Sequence, residues 1–257
     1  LQKPGTDYNV SGSTITTTSA ITSGVVVDTW VIHKPGSAPV IQDNSISNAK
    51  MQDDAIGIAE LSATGTPSAA TFLAGNNAWT AVSSDFVKIQ STTCSGSGVE
   101  FDSSKFDNST YSSYEFRFLN VRSSGNGDRM YVNTSTDGGS TWETSYFQVF
   151  GEWNTNAGAS LYKDASESAT HLQLGADSNT GNATNESMSG VFRLFNPGGT
   201  SHTHMNWHMS YDDDQAGEYF TNVVGSGKRP SAADVDGIKF FFGNNYDSGT
   251  IIMYGIK

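Results

Sequence analysis

The sequence predicts an all-β protein that ends in an antiparallel, jelly-roll-like β-sandwich. The first observation is that apolar and polar residues alternate with a period of two, as in the YEFRF run at 114–118, between turns rich in Gly, Asn, Asp and Ser. The second is the composition, because 27 glycines with abundant Ser, Thr and Asn suit many short strands and tight turns. The third is that several strands are apolar on both faces, as at Phe241, Ile251 and Met253. This pattern indicates burial by a second sheet or by a neighbouring subunit.

Residues 1–40 are predicted to form a small β module. Residues 8–10 and 14–18 flank a Ser-Gly turn, and the β-branched run at 25–32 follows. A unit this small is not expected to be stable alone, so we expect it to pack against copies of itself. Residues 34–39 are rich in Pro and Gly and indicate a linker.

Residues 41–84 contain a short internal repeat and are predicted to form a slender connector. Residues 43–51 align without gaps on residues 53–61. The repeat places large apolar side chains five residues apart, at Ile46, Met51, Ile56 and Leu61. This spacing forms no stripe on a helix and changes face at each step on a strand. Winding around partner copies would bury these positions, so we expect an obligate homo-oligomer with a narrow stem. The alternative is a single-chain linker with two turns that are similar by chance.

This connector, with LSATGTPS at 61–68 and TFLAGNNAW at 71–79, resembles the connector of tail fibres of tailed bacteriophages. The β module at 1–40 and the end of the chain, residues 235–256, also resemble parts of such fibres, the latter a closing hairpin of the C-terminal head. The resemblance implies a homotrimeric virion protein of the phage tail that contacts other tail proteins and acts in host adsorption. It assigns no binding residue.

Residues 85–257 are predicted to form the β-sandwich head. The charge of the whole chain, −12 at pH 7, makes nucleic acid a poor partner because phosphate binding needs clustered Lys and Arg. No apolar run is long enough to cross a membrane, so no membrane insertion is expected. Cys94 is the single cysteine and cannot form an intrachain disulfide. No cofactor is expected.

One motif in the head is typical of a structural turn. Residues 135–142, STDGGSTW, fit the Asp-box pattern found in sialidases and other propellers. We expect Asp137 to cap backbone N–H groups, the glycines to adopt positive φ, and Trp142 to pack beneath the turn. A propeller would repeat the box, and this chain contains it once, so the box gives little support to a glycosidase.

Three histidines lie in the densest group of unusual residues. If residues 202–211 form a strand, His202, His204 and His208 share one face with Asn206, and the other face is apolar (Met205, Trp207, Met209, Tyr211). Imidazoles at alternating strand positions can share a metal ion. Three copies around a trimer axis would bring more imidazoles to such a site. We favour the other interpretation, in which the histidines form a polar outer face over a buried apolar face. No metal is predicted.

The Asp212-Asp213-Asp214 run with nearby Glu218 could hold Ca²⁺, but it lacks the spacing of an EF-hand loop. A solvated turn is the favoured interpretation.

Glycan recognition would use exposed aromatic side chains flanked by polar ones, carried on loops between strands. The candidates are Trp153, Tyr162, Tyr219 and Tyr246. The alternative for each is a place in the core or in a subunit interface.

Together these observations predict a homotrimeric phage tail fibre that adsorbs to a host-surface receptor, expected to be a glycan, without catalysis. No catalytic motif is present in the sequence. The alternatives are a purely structural virion fibre, decoration or connector protein, a glycan depolymerase, and a carbohydrate-binding module of a cellular secreted protein.

Overall fold

The protein is all-β, as predicted. The computed structural model describes residues 8–12, 14–20, 51, 61–154, 160–175, 180–214 and 219–257, and these residues contain strands and turns but no α-helix. The chain divides into two units, Leu1–Thr80 and Ala81–Lys257. The β-branched run at 25–32 and most of the connector repeat lie outside the described residues.

Two short hairpin-like sheets are described near the start of the chain. Strands β1 (Tyr8–Ser11) and β2 (Thr14–Thr17) pair antiparallel around a turn in which Gly12 has a φ of +59°. These are the two segments that flank the Ser-Gly turn in the sequence. Strands β3 (Thr71–Leu73) and β4 (Trp79–Ala81) form a second two-stranded sheet.

The head contains an eight-stranded antiparallel sheet in its described part. Most of its strands alternate buried and accessible side chains, because successive residues of a strand point to opposite faces. In spatial order the strands are β10 (Ser160–Ala169), β9 (Tyr146–Asn154), β14 (Phe220–Lys228), β13 (His204–Asp212), β12 (Met188–Phe195), β7 (Ser113–Ser123), β16 (Tyr246–Ile256) and β5 (Phe86–Thr93).

A four-stranded antiparallel sheet packs against the middle of the large one. In spatial order its strands are β11 (Leu172–Gln173), β8 (Met130–Ser135), β15 (Gly237–Phe242) and β6 (Val99–Phe101). The sequence resemblance implies that residues 235–256 form a closing hairpin, and the structure corrects this. β15 pairs with β8 and β6, whereas β16 pairs with β7 and β5, so the chain crosses from one sheet to the other between them.

The core lies between the two sheets and is centred on Phe240. Its ring is fully buried. The centroid of this ring lies 5.0 Å from the ring centroid of Phe116, 4.9 Å from that of Phe118, 5.5 Å from that of Phe192 and 6.4 Å from that of Phe101. Tilted and edge-to-face contacts of this kind stabilise beyond the burial of apolar area. The head is therefore a β-sandwich held together by aromatic rings from both sheets.

The outer face of the large sheet is partly covered by its own side chains. The Glu115 carboxylate accepts hydrogen bonds from Nε of Arg117 and Nε of Arg193, both at 2.8 Å. The Arg117 guanidinium lies over the rings of Phe86 and Tyr254, 5.1 and 4.9 Å from their centroids. These contacts cover the β5, β16, β7 and β12 part of that face.

The Asp-box residues form the predicted structural turn. Asp137 accepts hydrogen bonds from the Thr141 backbone N at 2.8 Å and from the Ser135 hydroxyl at 2.7 Å. Gly138 and Gly139 have φ values of +70° and +93°. The Trp142 ring lies against Gly139, where an added Cβ would be 3.4 Å away from it.

Candidate functional site

The outer face of the small sheet brings three aromatic rings together. Tyr131 on β8 lies directly opposite Phe241 on β15, with ring centroids 5.6 Å apart. His171, just before β11, lies 5.5 Å from Tyr131 and 5.1 Å from Phe241, edge-on to the latter. All three side chains are partly accessible. They form an aromatic cluster that the core does not bury.

These rings line an open cleft of about 470 Å³ at the β11 edge of the small sheet. Most of the other lining groups are neutral and polar and come from β9, from the residues that follow β10, and from β11. We call this site the aromatic cleft; its lining residues are Tyr131, Gln148, Ala169, Thr170, His171, Gln173, Phe241 and Gly243. Its volume lies in the range of ligand-binding pockets.

The imidazole of His171 is held in one orientation. Asn133 Nδ2 donates to the Glu143 carbonyl oxygen at 2.9 Å, and Asn133 Oδ1 lies 2.8 Å from His171 Nδ1. Since the Asn133 oxygen can only accept, Nδ1 of His171 carries the proton and Nε2 is the acceptor. Burial lowers the pKa of His171 below its ordinary value of 6.5, so the ring is neutral at pH 7.

A partly buried ion pair supports this arrangement. Arg229 Nη2 donates to Glu143 Oε2 at 2.9 Å, and its Nη1 donates to the Thr134 hydroxyl at 2.8 Å. The Arg229 side chain is buried. Arg229 thereby holds Glu143, whose backbone carbonyl oxygen orients the Asn133 amide. Asn133 in turn orients the His171 ring.

Polar groups at the cleft provide both a hydrogen-bond donor and a hydrogen-bond acceptor. The Gln148 Oε1 atom accepts from the Gln173 backbone N at 3.0 Å. Among the described residues the Gln148 amide nitrogen has no hydrogen-bond partner, so its two N–H groups can serve a ligand. The cleft therefore combines aromatic faces with a donor at Gln148 and an acceptor at His171.

The predicted aromatic residues lie elsewhere, and the structure corrects the expected loop positions of Trp153 and Tyr162, which lie in strands β9 and β10. Trp153, near the end of β9, is 43% exposed on the outer face of the large sheet. Tyr162 lies in β10 with its backbone opposite Glu152, and its side chain is outside the described residues. Tyr219 is half-buried just before β14, and its carbonyl accepts from the Asp213 backbone N at 2.9 Å. None of these three lines the aromatic cleft.

The structure corrects the placement of Tyr246. It begins β16 instead of lying in a loop, and it is only 6% exposed. Its ring packs edge-on against Phe242 at 5.3 Å, and its hydroxyl lies 3.6 Å from the Met130 sulfur. The ring of Tyr246 is a core residue and is not accessible to a ligand.

The histidine-rich segment forms β13 with the predicted faces. Met205, Trp207, Met209 and Tyr211 are buried, whereas His204 and His208 are exposed on the outer face. His204 and His208 are four residues apart, which is about 14 Å along a strand. His202 precedes the strand, with Nδ1 3.2 Å from the Arg229 carbonyl oxygen. The described residues contain no group of three or more His, Cys, Asp or Glu arranged to hold a metal ion.

The acidic run Asp212-Asp213-Asp214 is part of the packed structure, at least at its first two residues. Asp213 is buried, and Asp212 Oδ2 accepts from the Ser187 backbone N at 3.1 Å. Glu218 lies outside the described residues.

Comparisons with known proteins give no assignment. No protein-family model, no curated protein and no solved structure matches this chain. Among the described residues no helix has the length and apolar character needed to span a bilayer.

Proposed function

We propose that this protein is a phage tail fibre whose head binds a host-surface glycan in the aromatic cleft. The observation that carries the proposal is the accessible cluster of Tyr131, His171 and Phe241 with neutral polar groups beside it. The C–H faces of a sugar ring pack on aromatic rings, and its hydroxyl groups need donors and acceptors nearby. The cleft offers both.

Binding alone is sufficient for adsorption. The hydrogen bonds at the cleft orient the His171 ring and the Gln148 amide in advance, which lowers the entropic cost of holding a ligand. Three such heads on one fibre would act together, because a second binding event at high effective concentration is much more favourable than the first.

A homotrimer in the phage tail, in contact with other tail proteins, is part of this proposal. The resemblance of residues 43–79 to fibre connectors supports it. So does the uncovered part of the outer face of the large sheet, where β9 and β14 expose Phe147, Val149, Trp153, Phe220 and Val224. An apolar surface of this kind is suited to a subunit interface.

Binding of the protein to an array of surface polysaccharides from candidate bacterial hosts tests the function. We expect at least one polysaccharide to bind, and its chain length to stay unchanged after incubation with the protein. A complete lack of binding would favour the purely structural virion role, and shortening of the polysaccharide would favour a depolymerase.

Light scattering on a size-exclusion column tests the assembly. A trimer of 27.4 kDa chains has a mass of about 82 kDa. A mass of one chain would exclude the trimer and favour a free-standing binding module.

A further inference from the structure

The face that carries the aromatic cleft continues to a lysine held beside two aromatic rings. Lys239 lies two residues before Phe241 on β15 and therefore points to the same face of the small sheet. Its Nζ atom is 5.9 Å from the Phe241 ring centroid and 5.9 Å from that of Trp142. The ammonium group thus lies next to the cleft, between a cleft residue and a further aromatic ring.

The position of this ammonium group is fixed by its surroundings. The Lys239 stem lies against Gly98, where an added Cβ would be 2.7 Å from Lys239 Cε. The cation is also attracted to the faces of aromatic rings within about 6 Å. Gly98 and the two rings therefore hold the charge in place before any ligand arrives.

The present partner of Lys239 is an exchangeable carboxylate. Glu100 Oε1 lies 2.9 Å from Lys239 Nζ. Glu100 is on the edge strand β6 and its side chain is 50% exposed, whereas that of Lys239 is 25% exposed. Ion pairs that are this accessible to solvent contribute little to stability, so the carboxylate can leave at small cost.

We propose that the glycan carries a carboxylate, as in a uronic acid, and that this group replaces Glu100 at Lys239. The inference rests on the proposed glycan binding in the aromatic cleft and adds the chemical class of the ligand. Sugar rings would pack on Tyr131 and Phe241, and the acidic sugar would lie between Phe241 and Trp142. The carboxylate would then accept charge-assisted hydrogen bonds from an ammonium that is already positioned.

The test uses bacterial polysaccharides in matched pairs, each in its native form and after chemical reduction of its uronic-acid carboxyl groups to alcohols. Affinities are measured for the wild-type protein and for the variants K239Q and E100Q. We expect carboxyl reduction to weaken binding by about twofold to fivefold, the effect of one partly exposed charge pair. K239Q should weaken binding of the native form to the level of the reduced form. E100Q should strengthen binding of the native form and leave that of the reduced form unchanged.

Matched controls keep the outcomes separable. K163Q, on β10 at the edge of the other sheet, and D85N, just before β5, remove charges of the same signs from exposed positions away from the cleft and should change neither affinity. Equal affinity of native and reduced forms, or a K239Q variant that still distinguishes them, would overturn the inference and leave the proposed glycan binding intact. If neither form of any polysaccharide binds, the proposed function fails and the inference fails with it.

Discussion

Replacing Asp128 with Asn should destabilise the head strongly, although the two side chains have the same shape. Asp128 is buried beside the aromatic cleft and ties the start of β8 to the residues after β15. Its Oδ1 atom accepts from the backbone N of Arg129 at 2.8 Å and of Gly243 at 2.9 Å. Its Oδ2 atom accepts from the Ser123 hydroxyl at 2.6 Å and from the Asn244 backbone N at 2.8 Å.

The magnitude follows from these bonds. An amide retains one oxygen, so at least two donors would face an NH₂ group instead of an acceptor. Hydrogen bonds to a charged group contribute about 1.5–3 kcal/mol each, and unpaired buried donors add a penalty. We therefore expect D128N to lower the free energy of unfolding by about 3–5 kcal/mol at pH 7.

The effect should depend on pH in a defined direction. Burial tends to raise the pKa of Asp128, but the hydrogen bonds from Ser123, Asn244 and Arg129 outweigh it and hold the pKa below its ordinary value of 3.8. A carboxyl group whose pKa is lowered in the folded state contributes its stability above the unfolded-state pKa and loses it as the pH falls towards the folded-state pKa. The difference between wild type and D128N should thus be constant from about pH 5 to pH 8 and shrink below about pH 4.

Urea unfolding monitored by intrinsic fluorescence at several pH values measures this difference. D85N, at an exposed position, is the control and should change stability by less than about 0.5 kcal/mol. A loss below about 1 kcal/mol for D128N at pH 7 would refute the hydrogen-bonding argument.

Three further predictions concern the core, the thiol and the cleft. F240A should lower the free energy of unfolding by about 3–5 kcal/mol in urea titrations, because the Phe240 ring contacts both sheets. F195A, at an exposed position on β12 outside the proposed subunit interface, should cost far less. Burial raises the pKa of the Cys94 thiol to about 12, so a thiol reagent at pH 8 should label it only after unfolding; rapid labelling of the native protein would contradict its burial. Because burial lowers the pKa of His171, glycan affinity should be constant between pH 7 and pH 8. It should fall below pH 6.5, when Nε2 gains a proton and can no longer accept a hydrogen bond. An affinity that changes between pH 7 and pH 8 would exclude a neutral His171 as the acceptor.

The period of two in the sequence predicts several strands and their faces, although Trp153 and Tyr162, which were expected on a loop, lie in β9 and β10. It places Phe116 and Phe118 on one face of β7, and Met205 and Trp207 opposite His204 on β13, because successive side chains of a strand point to opposite sides. It does not say which strands pair. The closing hairpin that the resemblance implies for residues 235–256 was wrong, since β15 and β16 join different sheets.

The aromatic cleft could not be located from the sequence. Tyr131, His171 and Phe241 come from three separate stretches of the chain, and only the pairing of β8 with both β11 and β15 brings them together. The sequence did contain one signal, the aromatic residue Phe241 on the second face of β15. Tyr246 was misplaced because its polar neighbours at 244–248 are typical of a loop, whereas packing against Phe242 draws its ring into the core.

The most direct test of the account is a calorimetric titration of the head-containing chain with the polysaccharide that binds best. The double variant Y131A/F241A removes both rings from the aromatic cleft, and F195A removes an exposed aromatic ring from β12, outside both the cleft and the proposed subunit interface. We expect the double variant to bind at least about tenfold more weakly at unchanged native mass, and F195A to bind as the wild type does. Unchanged binding by the double variant, or an equal loss of binding in F195A, would contradict the aromatic cleft as the glycan site.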